Sequence, residues 1–246
     1  MGVSRSGSFA ALTAGALACL WFAAGSLDSW ALQRGGSATG SIRGRVLGSG
    51  AIATASPLKV TVDERTCGAT VPDEAVVLDK EGGVAHAVVV VKGLAWGEAA
   101  PVRLTNKGCR FMPHVTVVRP GTTLELTNDD PTLHTTHAYA ADGRSLFNVA
   151  LPVPGLVVKR PADKATGTTR VACDTHPWMQ GFVYVSADRA VVSDADGRFA
   201  FTDVPPGTYE LTIWHERLKG AVQRVTVAAG QSVDAAFTVT PAPDRR

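Results

Sequence analysis

Four consecutive valines close the run Ala85-His86-Ala87-Val88-Val89-Val90-Val91. β-Branched side chains in series lose rotamer freedom in a helix and fit a pleated surface, so this run predicts a central strand. The chain around it has the same character. Ser41 to Leu47 alternates about Ile42 and Val46, as a half-buried strand does. Lys59-Val60-Thr61-Val62 and Ala75-Val76-Val77-Leu78 are further short strand candidates. No stretch beyond the first thirty-odd residues keeps a helical period, and the expectation is an all-β protein.

The C-terminal part adds turn chemistry to this pattern. Ser193-Asp194-Ala195-Asp196-Gly197-Arg198-Phe199 sets Asp-Gly between two apolar runs, a hairpin signal. Asp194 and Asp196 lack the full ligand pattern of a calcium loop and read as turn formers. Val204-Pro205-Pro206-Gly207-Thr208-Tyr209 is a second turn, leading into Glu210-Leu211-Thr212-Ile213-Trp214. Strand-like runs Val222–Val227 and Ala235–Val239 follow. The motifs Ser-Asp-x-Asp-Gly-x-Phe and Pro-Pro-Gly-x-Tyr resemble the second half of the carboxypeptidase regulatory-like domain, a transthyretin-like, Ig-like β-sandwich. The resemblance implies an opening Gly-x-Val, which Gly44-Arg45-Val46 supplies, and a strand before the Asp-Gly turn, which Val88–Val91 supplies. Each half holds about four short strands, too few for two packed sheets.

The N-terminus reads as an export signal. Arg5 is its charge, Phe9 to Leu27 is uncharged, and Ser29-Trp30-Ala31 offers small residues for cleavage. Residues 1–31 are therefore a signal peptide, or else an uncleaved membrane anchor, and 32–39 a linker. Export to a periplasm or the extracellular space is the expected localisation. A net charge of +2 predicts no nucleic-acid partner and no membrane contact beyond that possible anchor. Past residue 31 three cysteines remain, Cys67, Cys109 and Cys173. Thiols in an oxidising compartment tend to pair. If Cys67 pairs with Cys109, Cys173 is left single, and metal ligation gives it a reason to be so.

Cys173-Asp174-Thr175-His176-Pro177-Trp178-Met179 puts a thiolate, an imidazole and a thioether within one short loop. Two His, one Cys and a weak axial Met are the ligands of a trigonal copper site, and His134 is the best candidate for the second imidazole. A cysteine hydrolase would need a poised base and an orienting group, and the Met has no role there. Zinc sites are typically built without thioether. The pattern Cys-x2-His-x2-Met, with a His-x2-His pair opening at His134, resembles the cupredoxins, the blue-copper electron carriers, and in particular the amicyanin-type ligand loop. Phe111-x-Pro113, Val115–Val118, Gly121, Asn128 and Gly181–Val185 support it over roughly residues 100–187.

That resemblance implies a Greek-key sandwich holding one copper, Cu(I) or Cu(II), on His134, Cys173, His176 and Met179. It implies that the edge of His176 lies at the surface as an electron port, with Pro177 and Trp178 as the docking patch for a redox partner protein. An Asn usually follows the first ligand His and ties the two ligand loops together. Here Thr135 stands in its place, with a hydroxyl able to do so. His137 falls on the opposite face of the strand from His134 and is not a ligand. His86 reads as structural, His114 as a core or surface residue, and a metal role for His215 has no support.

The expected organisation is a discontinuous outer sandwich, residues 40–95 plus 188–240, with the cupredoxin-like domain 96–187 inserted and a tail at 241–246. The expected function is an exported type-1 copper protein carrying one electron, not an enzyme. Two alternatives stay open. One is a copper-binding and delivery protein without electron transfer. The other is a carbohydrate- or surface-binding module in which Trp214 and Tyr209 stack on a ligand.

Overall fold

The computed structural model describes residues 38–242, apart from Ala55 and Ala99. The proposed export signal lies outside the described residues. Among the described residues no helix is long and apolar enough to cross a membrane. The described chain is almost all β, and its one α-helix is the single turn Glu64–Cys67.

Four sheets account for most of it. One four-stranded sheet runs in the order Arg198–Val204, Gly40–Gly48, Ser232–Pro241, Leu218–Lys219. A second runs Ala190–Val192, Val88–Val91, Gly207–Trp214, Val222–Val227. Between these two sheets lie Ile42, Val46, Val89, Val91, Phe199, Phe201, Leu211 and Phe237, all buried. A five-stranded sheet follows the order Ser145–Leu151, His134–Tyr139, Gly167–Ala172, Gln180–Val185, Val115–Val118. It faces a four-stranded sheet of Val157–Pro161, Thr123–Asn128, Val102–Asn106 and Phe111–Met112 across a second core that includes Leu104, Phe111, Leu126 and Val171.

The valine run owes its composition to its position. Val89 and Val91 point into the first core. Val88 and Val90 point the other way, into a seam with Val115, Phe182 and Ala190, flanked by Trp96, Tyr184 and Trp214. A strand covered on both faces has no polar side, hence no alternation. The strand is nonetheless shorter than the apolar run. His86 has φ 64, outside the β region, so the strand begins only at Val88.

The chain leaves this strand and comes back beside it. Val90 is paired with Ala190 across antiparallel strands, and Val91 N–H donates to Arg189 O at 3.0 Å. The five-stranded and four-stranded sheets of the second sandwich are built from the residues between those two points. Gly40–Gly48 pairs with Arg198–Val204 and Ser232–Pro241, strands from the far end of the sequence. Gly44 allows this approach, because a Cβ there would sit 1.7 Å from Ala235 O.

Several local expectations differ from the structure. The Asp194–Gly197 turn forms, with Asp194 Oδ1 accepting from the N–H groups of Asp196 and Arg198 at 3.0 and 2.8 Å. Gly197 takes φ 75, and a Cβ there would lie 2.5 Å from Val46 O. The strands on either side do not form a hairpin, however; they enter different sheets, so the turn carries the chain from one layer to the next. Ala75–Leu78 is not a strand and makes only the isolated bridge Leu78–Val84. Residues 58–71 also depart from the assignment of 40–95 to the outer sandwich. Leu58–Lys59 pairs with Thr70–Val71, and Val60, Cys67 and Val71 are buried in the second core. Cys67 is disulfide-bonded to Cys109, which closes a loop with a sequence separation of 42 residues. A loop of that length is worth about 4 kcal/mol in the chain-entropy account. The link holds this segment to the second sandwich.

Three histidines gather at the seam. The His86 and His114 rings lie 5.2 Å apart, His114 Nε2 bonds Glu216, and His215 is buried with Nε2 unpartnered. Burial lowers both His86 and His215 from 6.5 to about 4, and the neighbouring imidazoles add to the shift. Above pH 6.5 the folded and unfolded chains both keep these two rings neutral. Between pH 6.5 and about 4 only the unfolded chain takes up the protons, so stability falls with pH across that window. Each group contributes up to about 1.4 kcal/mol per pH unit. Denaturant midpoints measured from pH 7 to 4 should therefore fall, and His215→Gln should flatten the slope by about one proton's worth. An unchanged slope in that variant would remove His215 as a source.

Candidate metal centre

The centre is built where three pieces of the five-stranded sheet end. His134 opens the strand His134–Tyr139, Cys173 follows Gly167–Ala172, and Met179 precedes Gln180–Val185. The pairing Ala172–Gln180 makes Cys173–Met179 the loop of a strand pair. That loop is closed by Cys173 N–H to Met179 O at 3.3 Å and Met179 N–H to His176 O at 2.9 Å. Strand alternation turns His134 and Thr136 inward and His137 outward.

Among the described residues, His134, Cys173 and His176 bring three potential metal-binding atoms within 4.8 Å of one another. The Nδ1 atoms of the two imidazoles are 3.0 Å apart, and Cys173 Sγ lies 3.9 Å from His134 Nδ1 and 3.6 Å from His176 Nδ1. A point in the plane of these atoms lies about 2 Å from each. That is the bond length of zinc, a first-row metal, to imidazole nitrogen, and within a few tenths of an ångström of its bond to thiolate. The donor set therefore fits one first-row ion without rearrangement. Cys109, Asp130 and His134 also bring their side-chain S, O and N atoms within 4.8 Å of one another, but the sulfur is tied up in the disulfide. Met179 is 2% exposed and buried in the same cluster as Cys173.

The far side of each imidazole is held by a carboxylate. His134 Nε2 donates to Asp130 Oδ2 at 3.0 Å, and His176 Nε2 to Asp63 Oδ2 at 3.1 Å. A proton on Nε2 leaves Nδ1 as a lone pair facing the centre, the arrangement by which carboxylates orient metal-ligating histidines. Asp130 is itself fixed by the N–H groups of Gly108 and Cys109, both at 2.8 Å. Asn128 supports the same loop, donating from Nδ2 to Thr132 O and Leu151 O and accepting the Asp130 N–H.

Thr135 joins the two ligand loops. Its N–H points at Cys173 Sγ at 3.3 Å, and its hydroxyl accepts the Asp174 N–H at 2.7 Å. Thr175 adds a hydroxyl 3.0 Å from Cys173 Sγ. Burial alone would raise the Cys173 thiol. The Thr135 N–H and the Thr175 hydroxyl, both aimed at Sγ, act against it and lower the thiol from its ordinary value. The lowering favours the thiolate, the form a metal requires.

One expectation is corrected here. The ring of His176 is not edge-exposed; it is fully buried, covered by Asp63 and by Trp178, whose ring centroid is 5.1 Å away. Trp178 is half-buried and donates from Nε1 to Cys109 O, while Pro177 is exposed. The Asp130 contact had a signal in the polar run Asn128-Asp129-Asp130 ahead of His134. Asp63 had none, lying 113 residues from His176. His137 faces away and bonds Asp174, Ser145 and Tyr139. Trp214 packs against Phe182 and Tyr184 in the seam, and Tyr209 OH donates to Pro205 O, so the two do not form a stacking platform.

The second β-sandwich thus carries a buried cysteine and two buried imidazoles at the end of one sheet. The sequence of residues 166–240 matches the family model of the Carboxypeptidase regulatory-like domain. That match begins inside the five-stranded sheet and reaches through the last strand, leaving out Gly40–Gly48 and Val88–Val91. No curated protein matches the chain. Solved structures similar to it include a purple cupredoxin from Nitrosopumilus maritimus, 25% identical, covering 35% of this chain and 99% of its own, with a TM-score of 0.29. Amicyanin from Paracoccus versutus is 15% identical and covers 40% of this chain and 97% of its own, with a TM-score of 0.31. Auracyanin A, a "blue" copper protein from Chloroflexus aurantiacus, is 15% identical and covers 36% and 100%, with a TM-score of 0.31.

In the metal-free protein, the ultraviolet thiolate band of Cys173 should appear with a midpoint below the ordinary thiol value of 9.0. A midpoint that stays near 9.0 would show that the hydrogen bonds do not outweigh burial.

Proposed function

We propose that this chain is an exported type-1 copper protein that accepts and donates one electron, with His134, Cys173, His176 and Met179 as ligands. The observation that carries this reading is the triangle of Nδ1, Nδ1 and Sγ atoms, already spaced for one ion. Copper, when bound, supplies the one-electron couple. Thiolate and thioether favour Cu(I), imidazole suits both oxidation states, and the set with a weak Met is that of electron-transfer copper rather than zinc.

The protein's own contribution is rigidity. Thr135 locks one ligand loop to the other, Asp130 and Asp63 fix the two rings, and the centre is closed to water. Groups held in one geometry need little rearrangement when the charge on the centre changes. The burial of all four side chains favours a carrier of electrons over a deliverer of copper, which must let the ion go. The sealed edge of His176 moves the docking of a redox partner protein away from that ring. Pro177, exposed on the same loop, remains on the accessible surface. The outer sandwich, 40–95 without the segment 58–71 and together with 188–240, is read as the scaffold into which the copper-binding part, 96–187, is inserted. Catalysis forms no part of this reading.

The test is the visible spectrum of the protein oxidised in the presence of copper. An intense thiolate-to-copper band is expected, Cys173→Ser should abolish it, and Met179→Leu should keep the copper while shifting the potential. A copper-loaded protein without the band would leave only metal binding. A band that survives Cys173→Ser would refute the ligand set.

A further inference from the structure

Asp63 is the part of the centre that comes from outside the second sandwich's own strands. It stands at the start of the Glu64–Cys67 turn with φ 53, a left-handed conformation that Asp and Asn tolerate better than most residues. Its Oδ2 accepts two hydrogen bonds, from Thr132 Oγ1 at 2.8 Å and from His176 Nε2 at 3.1 Å. Three things hold the segment that delivers it. Val60 and Val71 are buried in the second core, Leu58–Lys59 pairs with Thr70–Val71, and Cys67 is bonded to Cys109.

The other half of that disulfide serves the other ligand. Cys109 N–H donates to Asp130 Oδ2, the atom that accepts from His134 Nε2. Cys109 O accepts from Trp178 Nε1, which lies over His176. One covalent link therefore stands behind both imidazoles. On the Cys67 side it leads through Asp63 to His176, and on the Cys109 side through Asp130 to His134.

We propose that Asp63 is a positioning residue for the metal centre, and that the disulfide-pinned segment 58–71 is a lid over the edge of His176. This rests on the copper reading given above and adds to it. The lid does two things. It holds the proton on Nε2 of His176, so that Nδ1 presents its lone pair before any metal arrives. It also occupies the side from which a competing ligand would reach the ring. The carboxylate of Asp63 is a half-exposed surface group, so its removal leaves both cores intact.

Two measurements decide the matter. The first uses metal-free protein: long-range proton–nitrogen correlation spectra report which nitrogen of His176 carries the proton. Wild type should show the Nε2–H tautomer, Asp63→Ala a mixture, and Asp63→Asn, which keeps an acceptor oxygen and tolerates the backbone angle, the wild-type form. The second is release of Cu(I) to a coloured chelator such as bicinchoninate. It should quicken by about 10- to 100-fold in Asp63→Ala, the range seen when a metal-bound His loses its outer partner. The paired variant Cys67→Ser with Cys109→Ser should quicken it as well, with the lid unpinned. An unchanged His176 tautomer in Asp63→Ala, or an unchanged release rate, overturns the proposal. If the chain takes up no copper, the copper reading falls and the tautomer alone decides the role of Asp63.

Discussion

The fold depends on Val88–Val91 being buried on both faces. Each valine is no more than 6% exposed, and alternate residues belong to different hydrophobic clusters. Burying a valine side chain completely is worth about 1.5–3 kcal/mol by area. The pleat assigns half of that to the outer core and half to the seam. The sheet built on this strand therefore has no solvent face here. It must be covered by a second sheet on one side and by the second sandwich on the other. The bulk of the seam is aromatic, with Trp214 near both Phe182 and Tyr184, while its polar end holds the neutral histidines. The two sandwiches thus share one strand's side chains.

At the centre a comparable economy of contacts appears, with polar groups instead of apolar ones. Two imidazoles and a thiolate buried together would be costly if left to solvate one another. Each ring has its carboxylate, and the sulfur has the Thr135 N–H and nearby hydroxyls. The burial that would otherwise suppress the thiolate is outweighed by donors already in place. The site is in this sense prepared by the chain before any ion is present.

How much of this could be read in the sequence follows from how far apart the partners stand. Cys173, His176 and Met179 share one loop, so their chemistry was legible from spacing. His134 was legible because it opens a strand after a polar turn. The two-part outer sandwich was suggested by turn motifs that need specific residues, such as Gly197 at φ 75. Contacts between distant segments left no such mark. Nothing in Thr61-Val62-Asp63-Glu64 announces a carboxylate for a ring 113 residues away, so His176 was expected at the surface. The Lys59–Val62 and Ala75–Leu78 runs have strand composition. The first is drawn to the other core by Val60 and the disulfide, and the second finds no partner for a ladder. Composition states a preference, and the available partner decides it.

The side-by-side exit and return at Val91 and Arg189 bears on the order in which the molecule can be made. On a ribosome, Gly40–Gly48 and Val88–Val91 emerge long before Arg198–Val204, Gly207–Trp214 and Ser232–Pro241, the strands they pair with. Until then they are edges without neighbours, the state most open to pairing with another chain. Bringing together the ends of a slack loop of about a hundred residues costs about 4 kcal/mol beyond the constant term. A second sandwich that has already folded holds those ends in register and removes that cost. Synthesis from the N-terminus thus favours a sequence in which the inserted part matures first, and the outer sandwich closes around a finished template.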